Sequence, residues 1–525
     1  MGAQRGGARD HVVLVPGFVG FDALGQLDYY AGVTQVFDRW AQGSGREGRR
    51  ASIHYFDNFP TASVQHRAKR LREYLAARVA RGEFSPGDRL ALVGHSTGGL
   101  DIRRALRDMA LRRDAVIVRD GCCEVRHAQI LELTERIAFL SVPHFGTNLA
   151  DWAARFDETL TALARDAVLG LKLNAGAIGK ARRRLFAVFA RSRSDVVRAV
   201  LDALDESEDV DGPQEVRTAA REARYELIAW LENIANDFSV ISDLRSASGL
   251  TPGASPASPA HFGADERREE IRALRALRIK TRSYVTRVPP GSVRPSRFAE
   301  RLVDVVDRAG PLIDLGNRLL RSNPAWRLIP AAAVLSDAAR AAELVALPLT
   351  LQLLGSTPSL LFDVFHAACA NPRGPFRRPA DIAPSIRDPR SGAEIRADDI
   401  SVGDNDGVVN TLSMLWPYDP DDPSAHRFDL VEADHGDVIG HYRLRPLEES
   451  SPSSWRAHDG SLRSRGRIPR RRYFAYDFFQ TKFHFSKESF DSLWTSVFDF
   501  CAGEERRADA SQTAGADPVM EAGQP

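Results

Sequence analysis

The chain has 525 residues, a length that predicts about three domains or one large domain with long insertions. Its 43% hydrophobic and 27% charged residues are typical of globular proteins and exclude a collagen-like, coiled-coil or wholly disordered chain. With 71 Lys and Arg against 70 Asp and Glu, the net charge of +1 gives no global field that attracts nucleic acid or an anionic membrane.

Neither the cysteines nor the apolar segments indicate export or membrane insertion. The four cysteines include the adjacent pair Cys122 and Cys123 and do not make a disulfide framework. The apolar run Val12–Val15 is too short for the hydrophobic region of a signal peptide, and Ala341–Gly355 is too short for a transmembrane helix. We therefore expect a cytoplasmic protein without a transmembrane segment.

Residues 11–146 alternate short β-branched runs with helical stretches, which is typical of an α/β protein with a mostly parallel sheet. The predicted strands are Val12–Val15, Ser52–Phe56, Leu90–Val93 and Ile137–Val142. Between the second and the third, Val64–Arg81 places apolar residues at steps of three and four. This spacing predicts an amphipathic helix over the sheet.

Two helical insertions interrupt the later part of this pattern. Residues 151–275 and 291–361 are rich in helix formers, whereas residues 276–290 contain a predicted strand at Ile279–Val288. Residues 1–150 and 362–502 are therefore predicted to form the two halves of one α/β core. The polar residues 503–525 predict a disordered tail.

The strongest chemical signal is Gly94-His95-Ser96-Thr97-Gly98, a G-x-S-x-G sequence. It follows a predicted strand and precedes the helical stretch Leu100–Leu111, as a tight strand-to-helix turn does. Such a turn forces its serine into strained backbone angles and lifts the hydroxyl out of the sheet. Ser96 is therefore the predicted nucleophile.

A serine nucleophile needs a histidine base and a carboxylate that orients it, and in this architecture the acid comes first in the chain. His435 follows the strand-like Phe428–Val431 in a loop that contains glycine, so it is the predicted base. Asp406 precedes an apolar dipeptide and is the predicted acid, although spacing alone does not separate it from Asp404. A solvated acidic loop with a structural histidine is the alternative.

The tetrahedral intermediate also needs hydrogen-bond donors. The backbone N–H of Thr97, the residue after the nucleophile, is one predicted donor. The N–H of Phe18, in the glycine-containing loop Pro16–Gly20, is the other. This loop has neither G-x-G-x-x-G spacing nor the lysine of a P-loop, so it does not predict nucleotide binding.

Five segments together resemble the thermoalkalophilic bacterial lipases and their staphylococcal relatives. These segments are Val12–Phe18, Gly94–Gly99, Ser141–Thr147, Asn405–Met414 and Asp434–Gly440. The lipases are α/β-hydrolases whose acid lies in an N-D-G-[IV]-V-N-T motif and whose base lies in a D-H-[LG] motif. The resemblance covers less than half of the chain and implies Asp406, rather than Asp404, as the acid and His435 as the base. It also implies the backbones of Phe18 and Thr97 as oxyanion donors.

The chain departs from these lipases at their metal sites. Their structural zinc is held partly by two closely spaced histidines, whereas the matching interval here offers only His54 and His66, so we predict no zinc. Their calcium site uses a carboxylate two residues after the base, which Asp437 matches, and another seven residues after it, where this chain has Tyr442. The resemblance leaves calcium open, and no other cofactor is expected.

The insertions and a basic segment raise the question of contact with lipid. In the lipases, helices inserted at this place form a lid over the acyl pocket. The apolar Leu344–Leu361 fits a lid helix or the wall of an acyl tunnel, and an insertion-domain core explains it equally well. The arginine-rich Trp455–Arg472 is either a solvated loop or a patch that contacts lipid phosphates.

The expected function is hydrolysis of carboxylic esters, most simply acylglycerols or similar lipids. A polyhydroxyalkanoate depolymerase, a thioesterase or an acyltransferase would use the same residues. A non-catalytic docking module that keeps the turn at Ser96 is the alternative from another class.

Overall fold

The structure is a computed structural model that describes most of the predicted α/β core. It describes residues 8–18, 23–24, 27–43, 50–59, 61–120, 123–154, 239–246, 258–293 and 358–442, and parts of 296–307 and 479–504. Most of the two predicted insertions, and nearly all of the predicted disordered tail at 503–525, lie outside the described residues.

The first half of the chain alternates strands with helices. The strands are β1 (Arg9–Val15), β2 (Ala23–Leu24), β3 (Leu27–Asp28), β4 (Arg50–Tyr55), β5 (Arg89–His95), β6 (Val116–Asp120), β7 (Cys123–Arg126) and β8 (Thr134–Leu140). The helices are α1 (Val33–Gln42), α2 (Val64–Ala80), α3 (Thr97–Leu111), α4 (His127–Leu133) and α5 (Asn148–Ala153). The four strands predicted in this half are present as β1, β4, β5 and β8, and the predicted amphipathic helix is α2.

The second half completes the sheet and adds a C-terminal helix. Its strands are β9 (Lys280–Arg287), β10 (Ser385–Arg387), β11 (Glu394–Arg396) and β12 (His426–Glu432). Its helices are α6 (Val240–Asp243), α7 (Ala264–Ala276), α8 (Pro358–Cys369) and α9 (Lys487–Ala502). Strand β9 is the one predicted between the two insertions.

Eight strands form one sheet in the order β11-β10-β12-β9-β8-β5-β1-β4. All neighbours are parallel except β10 and β11. Alternate residues of a strand point to opposite faces, and in β1 this places Val13 on one apolar cluster and Leu14 on the other. Helices α2 and α3 cover the first face, and α1 and α9 cover the second. The central strands are therefore buried on both sides, as in other parallel sheets.

This topology brings distant loops to one edge. The loops that follow β1, β5, β8, β9 and β12 all leave the carboxyl ends of parallel strands. In open α/β sheets, ligands bind at that edge. The predicted nucleophile, base and oxyanion loop each follow one of these strands, so the fold gathers them from widely separated positions in the chain.

Candidate active site

Ser96 forms the sharp turn between β5 and α3. Its backbone angles are φ 53° and ψ −129°, in a region that residues other than glycine rarely adopt. Strand β5 ends at His95 and helix α3 begins at Thr97, so Ser96 alone makes the connection. The structure thus places the predicted nucleophile at the carboxyl end of a central strand and at the N-terminus of a helix.

Three glycines allow this turn to close against its neighbours. A Cβ on Gly98 would lie 2.3 Å from the carbonyl oxygen of Val15, and a Cβ on Gly99 would lie 2.3 Å from Cγ2 of Val142. A Cβ on Gly94 would lie 2.7 Å from Cα of Gly99. Since heavy atoms do not approach that closely, each of these positions excludes a larger residue.

Asp406 is buried, and its carboxylate accepts four hydrogen bonds. Its Oδ2 lies 2.8 Å from Nδ1 of His435 and accepts the Thr286 hydroxyl at 2.6 Å. Its Oδ1 accepts the backbone N–H groups of Val408 and Val409 at 3.0 and 2.8 Å. Both oxygens are held, so the carboxylate has one orientation. Because an ionised carboxylate only accepts, the His435 proton is on Nδ1 and Nε2 is left as the basic nitrogen.

The acid loop is fixed by its backbone as well, although Asp406 does not directly follow a strand. The Val288 N–H donates to the carbonyl of Asn405 at 3.1 Å, and the His435 N–H donates to the carbonyl of Asp406 at 3.0 Å. These bonds join the acid loop to the ends of β9 and β12. Asp406 and His435 are therefore positioned relative to each other by main-chain and side-chain hydrogen bonds together.

Asp404, the alternative acid, has a different environment. Its side chain is partly exposed and accepts the backbone N–H of Ser401 at 3.3 Å. Its Oδ2 lies 3.6 Å from a guanidinium nitrogen of Arg287. In the structure His435 is paired with Asp406 and not with Asp404.

The loop that carries His435 packs against the residue before Ser96. The ring centroids of His435 and His95 are 4.6 Å apart, and His95 Nε2 lies 3.2 Å from the carbonyl oxygen of His435. Within the described residues, no hydrogen bond joins the Ser96 hydroxyl to the His435 ring. Such catalytic bonds are often long before substrate binds and tighten in the complex.

The loop after β1 lies directly beside Ser96. A Cβ on Gly17 would be 2.6 Å from Cβ of Ser96. The Nη2 of Arg67 donates to the carbonyl oxygens of Pro16 and Gly17 at 3.0 and 3.2 Å. Since the C=O and the N–H of a trans peptide point in opposite directions, the N–H of Phe18 points away from Arg67.

Thr97 is the first residue of α3, and its N–H is one of those that a helix leaves without an intrahelical partner. The Thr97 side chain is buried, and its hydroxyl has no hydrogen-bond partner among the described residues. Both residues predicted as oxyanion donors are thus close to Ser96 along the chain or in the structure. Thr97 is its neighbour in the chain, and Phe18 belongs to the loop that packs on it.

A buried ion pair supports the loop after β1. Arg67 and Asp101 are both fully buried, and Nη2 of the arginine lies 2.8 Å from Oδ2 of the aspartate. Asn58 donates to the same oxygen at 3.0 Å. Burial raises the pKa of Asp101 to about 7, and the Arg67 guanidinium opposes that rise. The pair joins α2 and α3 to the backbone that carries Phe18.

Sequence reasoning did not single out Thr286 or Arg67. Each lies on an element that was predicted, but the bonds that give them a role at the site join residues far apart in the chain. Thr286 and Asp406 are 120 residues apart, and Arg67 and Gly17 are 50 apart. The one available signal was that Thr286 stands at the carboxyl end of a predicted strand.

The residues at the implied calcium position do not fit that ion. Asp437 accepts the N–H of Asp434 at 2.9 Å. The Tyr442 ring packs in the core, with its centroid 5.8 Å from that of Phe485 and 5.3 Å from that of Phe490. Calcium needs six or more oxygen ligands, and this buried ring replaces one of the implied carboxylates. In the part of the chain that the structure describes, no group of three or more His, Cys, Asp or Glu is arranged to hold a metal.

Helix α8, at the end of the second insertion, is fixed to the acid loop. Gly407 has φ +94°, and a Cβ on it would lie 2.2 Å from Cε2 of Phe362. The Asn410 side chain donates to the carbonyl of Cys369 at 2.9 Å. Helix α8 therefore acts as a support of the acid loop.

The predicted lid and basic segments fall elsewhere. The side chains of Leu344–Leu361 and all of Trp455–Arg472 lie outside the described residues. Within the described ranges, no helix is both long enough and apolar enough to cross a bilayer.

The eight-stranded, mostly parallel sheet is covered by helices on both faces, and a strained serine turn stands at its carboxyl edge. Together these features define an α/β-hydrolase fold. No known family's sequence profile matches the chain, and no curated protein sequence matches it.

Several solved structures share a weak likeness with the chain. A lipase of Bacillus licheniformis in its mature form is 15% identical over 54% of this chain and 68% of its own, with a TM-score of 0.25. A metagenomic carboxyl esterase is 13% identical over 59% of this chain and 57% of its own, with a TM-score of 0.21. The phospholipase PlaB of Legionella pneumophila is 17% identical over 27% of each chain, with a TM-score of 0.19. At such TM-scores the fold assignment rests on this chain's own sheet and turn, and the narrower resemblance to thermoalkalophilic and staphylococcal lipases stays a prediction.

Proposed function

We propose that the chain is a serine hydrolase that cleaves carboxylic esters through an acyl-enzyme intermediate. The observation that carries this proposal is the bond of 2.8 Å between His435 Nδ1 and Asp406 Oδ2, on a loop that packs beside the strained turn at Ser96. A serine hydroxyl is a weak nucleophile unless a base removes its proton, and an oriented imidazole is that base.

In the proposed first step, His435 Nε2 takes the proton of Ser96 as Oγ attacks the ester carbonyl. Asp406 holds the imidazole in one tautomer and stabilises the imidazolium that forms. The backbone N–H groups of Phe18 and Thr97 donate to the oxyanion, aided by the positive end of helix α3. His435 then gives its proton to the leaving alcohol, and the acyl group remains on Ser96.

In the second step, water enters where the alcohol left. His435 takes a proton from the water, whose oxygen attacks the acyl carbonyl, and the same two amides hold the second oxyanion. The Ser96 oxygen leaves with the proton that His435 returns, which releases the carboxylic acid and restores the enzyme.

The proposed substrates are acylglycerols or similar lipid esters, which need an apolar path to reach Ser96. That path is proposed from the apolar sequence of the second insertion. The closest mechanistic alternatives, depolymerisation of polyesters, thioester hydrolysis and acyl transfer to an alcohol, differ in the acyl donor or acceptor. Product analysis with each class of substrate separates them.

The test is a series of p-nitrophenyl esters from acetyl to palmitoyl, with wild type and Ser96→Ala. The proposal expects hydrolysis by wild type, loss of it in the variant, and a chain-length optimum that reports the depth of the acyl pocket. Ser283→Ala is the matched control, since Ser283 lies in strand β9, is also buried and donates its hydroxyl to the Trp416 carbonyl at 2.8 Å. Hydrolysis that survives in Ser96→Ala would overturn the proposal.

A further inference from the structure

A chain of buried hydrogen bonds connects the oxyanion loop, the nucleophile turn and the base loop. The backbone N–H of Gly17 donates to the Tyr29 hydroxyl oxygen at 2.8 Å. That oxygen lies 2.6 Å from Nδ1 of His95, and His95 Nε2 lies 3.2 Å from the carbonyl oxygen of His435. Tyr29 and His95 are both buried.

One assignment of protons satisfies every bond in this chain. The Tyr29 oxygen accepts from Gly17, so its own hydrogen is available to donate to Nδ1 of His95. The His95 proton is then on Nε2 and donates to the His435 carbonyl. Burial lowers the pKa of His95 well below its usual value and raises the pKa of Tyr29, so both rings are neutral as this assignment requires.

We propose that His95, held by Tyr29, is a positioning residue that sets the oxyanion loop and the base loop in register around Ser96. This inference rests on the proposed function and deepens it. His95 does not touch the reacting atoms. Its two ring nitrogens each bond to one of the parts that must converge on the substrate, and the residue next to it is the nucleophile.

The partners of the His95 ring indicate that it positions the two loops and does not merely support the fold. Neither ring nitrogen of His95 bonds within β5 or α3; one meets Tyr29 and the other meets the loop of His435. Phe18, the predicted donor, follows the residue whose N–H Tyr29 holds. A displacement of about 1 Å at a reacting centre costs on the order of 100-fold in rate. Loss of the ring therefore acts on turnover more than on substrate binding.

Three substitutions at His95 separate its two bonds. His95→Gln places an amide N–H near the position of Nε2 and keeps the donor to His435. His95→Asn places a carbonyl oxygen near the position of Nδ1 and keeps the acceptor for Tyr29. His95→Leu keeps neither. Tyr29→Phe removes the hydroxyl that links Gly17 to His95, and Tyr284→Phe is its control, because that buried tyrosine bonds Ser496 at 3.2 Å, away from the site.

The experiment measures kcat, KM and Tm for these variants with the ester that wild type cleaves best. We expect kcat of His95→Leu to fall about 100-fold while KM stays close to that of wild type. His95→Gln and His95→Asn are each expected to recover part of the loss, and Tyr29→Phe to lose turnover while Tyr284→Phe does not. A purely structural role of His95 would not raise the kcat of His95→Gln or His95→Asn above that of His95→Leu while all three variants have the same Tm.

Two results would overturn the inference. The first is a kcat of His95→Leu equal to that of wild type. The second is a kcat that falls in proportion to the fall in Tm in all three His95 variants, with no rescue by Gln or Asn. If His95→Leu does not fold, the His95→Gln and His95→Asn variants decide between the same outcomes. Wild-type hydrolysis that Ser96→Ala leaves unchanged would remove the proposed function and this inference together, whereas Ser96-dependent hydrolysis that is indifferent to His95 removes the inference alone.

Discussion

The Thr286 hydroxyl lies 2.6 Å from Oδ2 of Asp406. That carboxylate oxygen also lies 2.8 Å from Nδ1 of His435, so the C-terminal end of strand β9 helps to orient the proposed base. The Thr286 hydroxyl also lies 2.9 Å from the hydroxyl oxygen of Ser141. The acid is thus held by a buried hydroxyl that no local sequence motif marks.

Thr286→Val is expected to lower kcat/KM about tenfold, because one hydrogen bond to a charged group, worth about 1.5 kcal/mol or more, is lost while the shape of the side chain is kept. Thr281→Val on the same strand is the matched control, since its hydroxyl bonds His426 instead. Steady-state kinetics of both variants checks this. Equal effects of the two substitutions would show that the loss comes from the strand and not from the bond to Asp406.

Asp406→Asn is expected to lower turnover about 10⁴-fold, because an amide at this place favours the wrong tautomer of the base. Asp404→Asn is expected to have little effect, since Asp404 faces Arg287 and is partly exposed. Turnover of the two variants, with circular dichroism to confirm folding, is the measurement. Equal losses would mean that the acid was assigned wrongly.

Arg67→Met is expected to destabilise the protein by about 3–5 kcal/mol, because it leaves the buried carboxylate of Asp101 without its charged partner. The double variant Arg67→Met with Asp101→Leu is expected to regain most of that stability, since neither charge remains. It is not expected to regain turnover, because the carbonyl oxygens of Pro16 and Gly17 have lost the guanidinium that orients them.

Urea unfolding measures the stability of the single and double variants, and ester hydrolysis measures their turnover. Recovery of turnover together with stability would show that Arg67 supports the fold without orienting the loop of Phe18. The stability of Arg67→Met is also expected to depend on pH. Burial raises the pKa of Asp101 to about 7 although Arg67 opposes the rise, so loss of Arg67 is expected to raise this pKa further. The unfolded chain then loses the Asp101 proton at a lower pH than the folded variant does, and the variant's stability falls as pH rises from about 4 through neutrality.

Gly98→Ala is expected to destabilise the protein by about 1–3 kcal/mol or to prevent folding, because the added Cβ meets the backbone of strand β1. Gly263→Ala is the control, since its Cβ would meet only the Glu266 carboxylate at 3.4 Å. Thermal unfolding of the two variants compares them directly. A Gly98→Ala protein as stable as Gly263→Ala would contradict the close packing of the turn on β1.

Protonation of His54 makes the free energy of unfolding depend on pH, and one substitution tests this dependence. Burial, followed by the nearby His11, lowers the pKa of His54 to about 4, from about 6.5 in the unfolded chain. Between these values the unfolded state binds a proton that the folded state does not, so the free energy of unfolding falls as pH drops from 6.5 to 4. His54→Gln is expected to make that fall less steep, as measured by urea unfolding across this window. An unchanged slope would contradict the neutral, partly buried state of His54 in the folded protein.

The elements that positioned Ser96 were predictable because the signals are local. A short apolar run, a G-x-S-x-G turn and a helical stretch are contiguous, and β5 and α3 lie where that pattern predicts them. The C-terminal helix α9 was not assigned, although Ser486 caps its start and Gly503 ends it with φ 76°. A capped helix of 16 residues carries no chemical motif, so only its packing against α1 shows its place in the core.

The supports of the site could not be predicted, since they depend on which residues the sheet order brings together. Tyr29 and His95 are 66 residues apart, and His95 and His435 are 340 apart. Nothing in the spacing of a tyrosine and two histidines marks such a contact. A strand order is needed before the loop after β1 can be placed beside the turn after β5.

We propose that His435 and Asp406 make the hydroxyl of Ser96 reactive. Labelling with a fluorophosphonate probe, followed by mass spectrometry of the labelled peptide, tests it most directly. We expect a single adduct on Ser96 in the folded wild-type protein, none in Ser96→Ala, and much slower labelling in His435→Gln. A folded protein that takes no label, or one that takes it at another serine while Ser96 stays unmodified, would show that Ser96 is not the nucleophile.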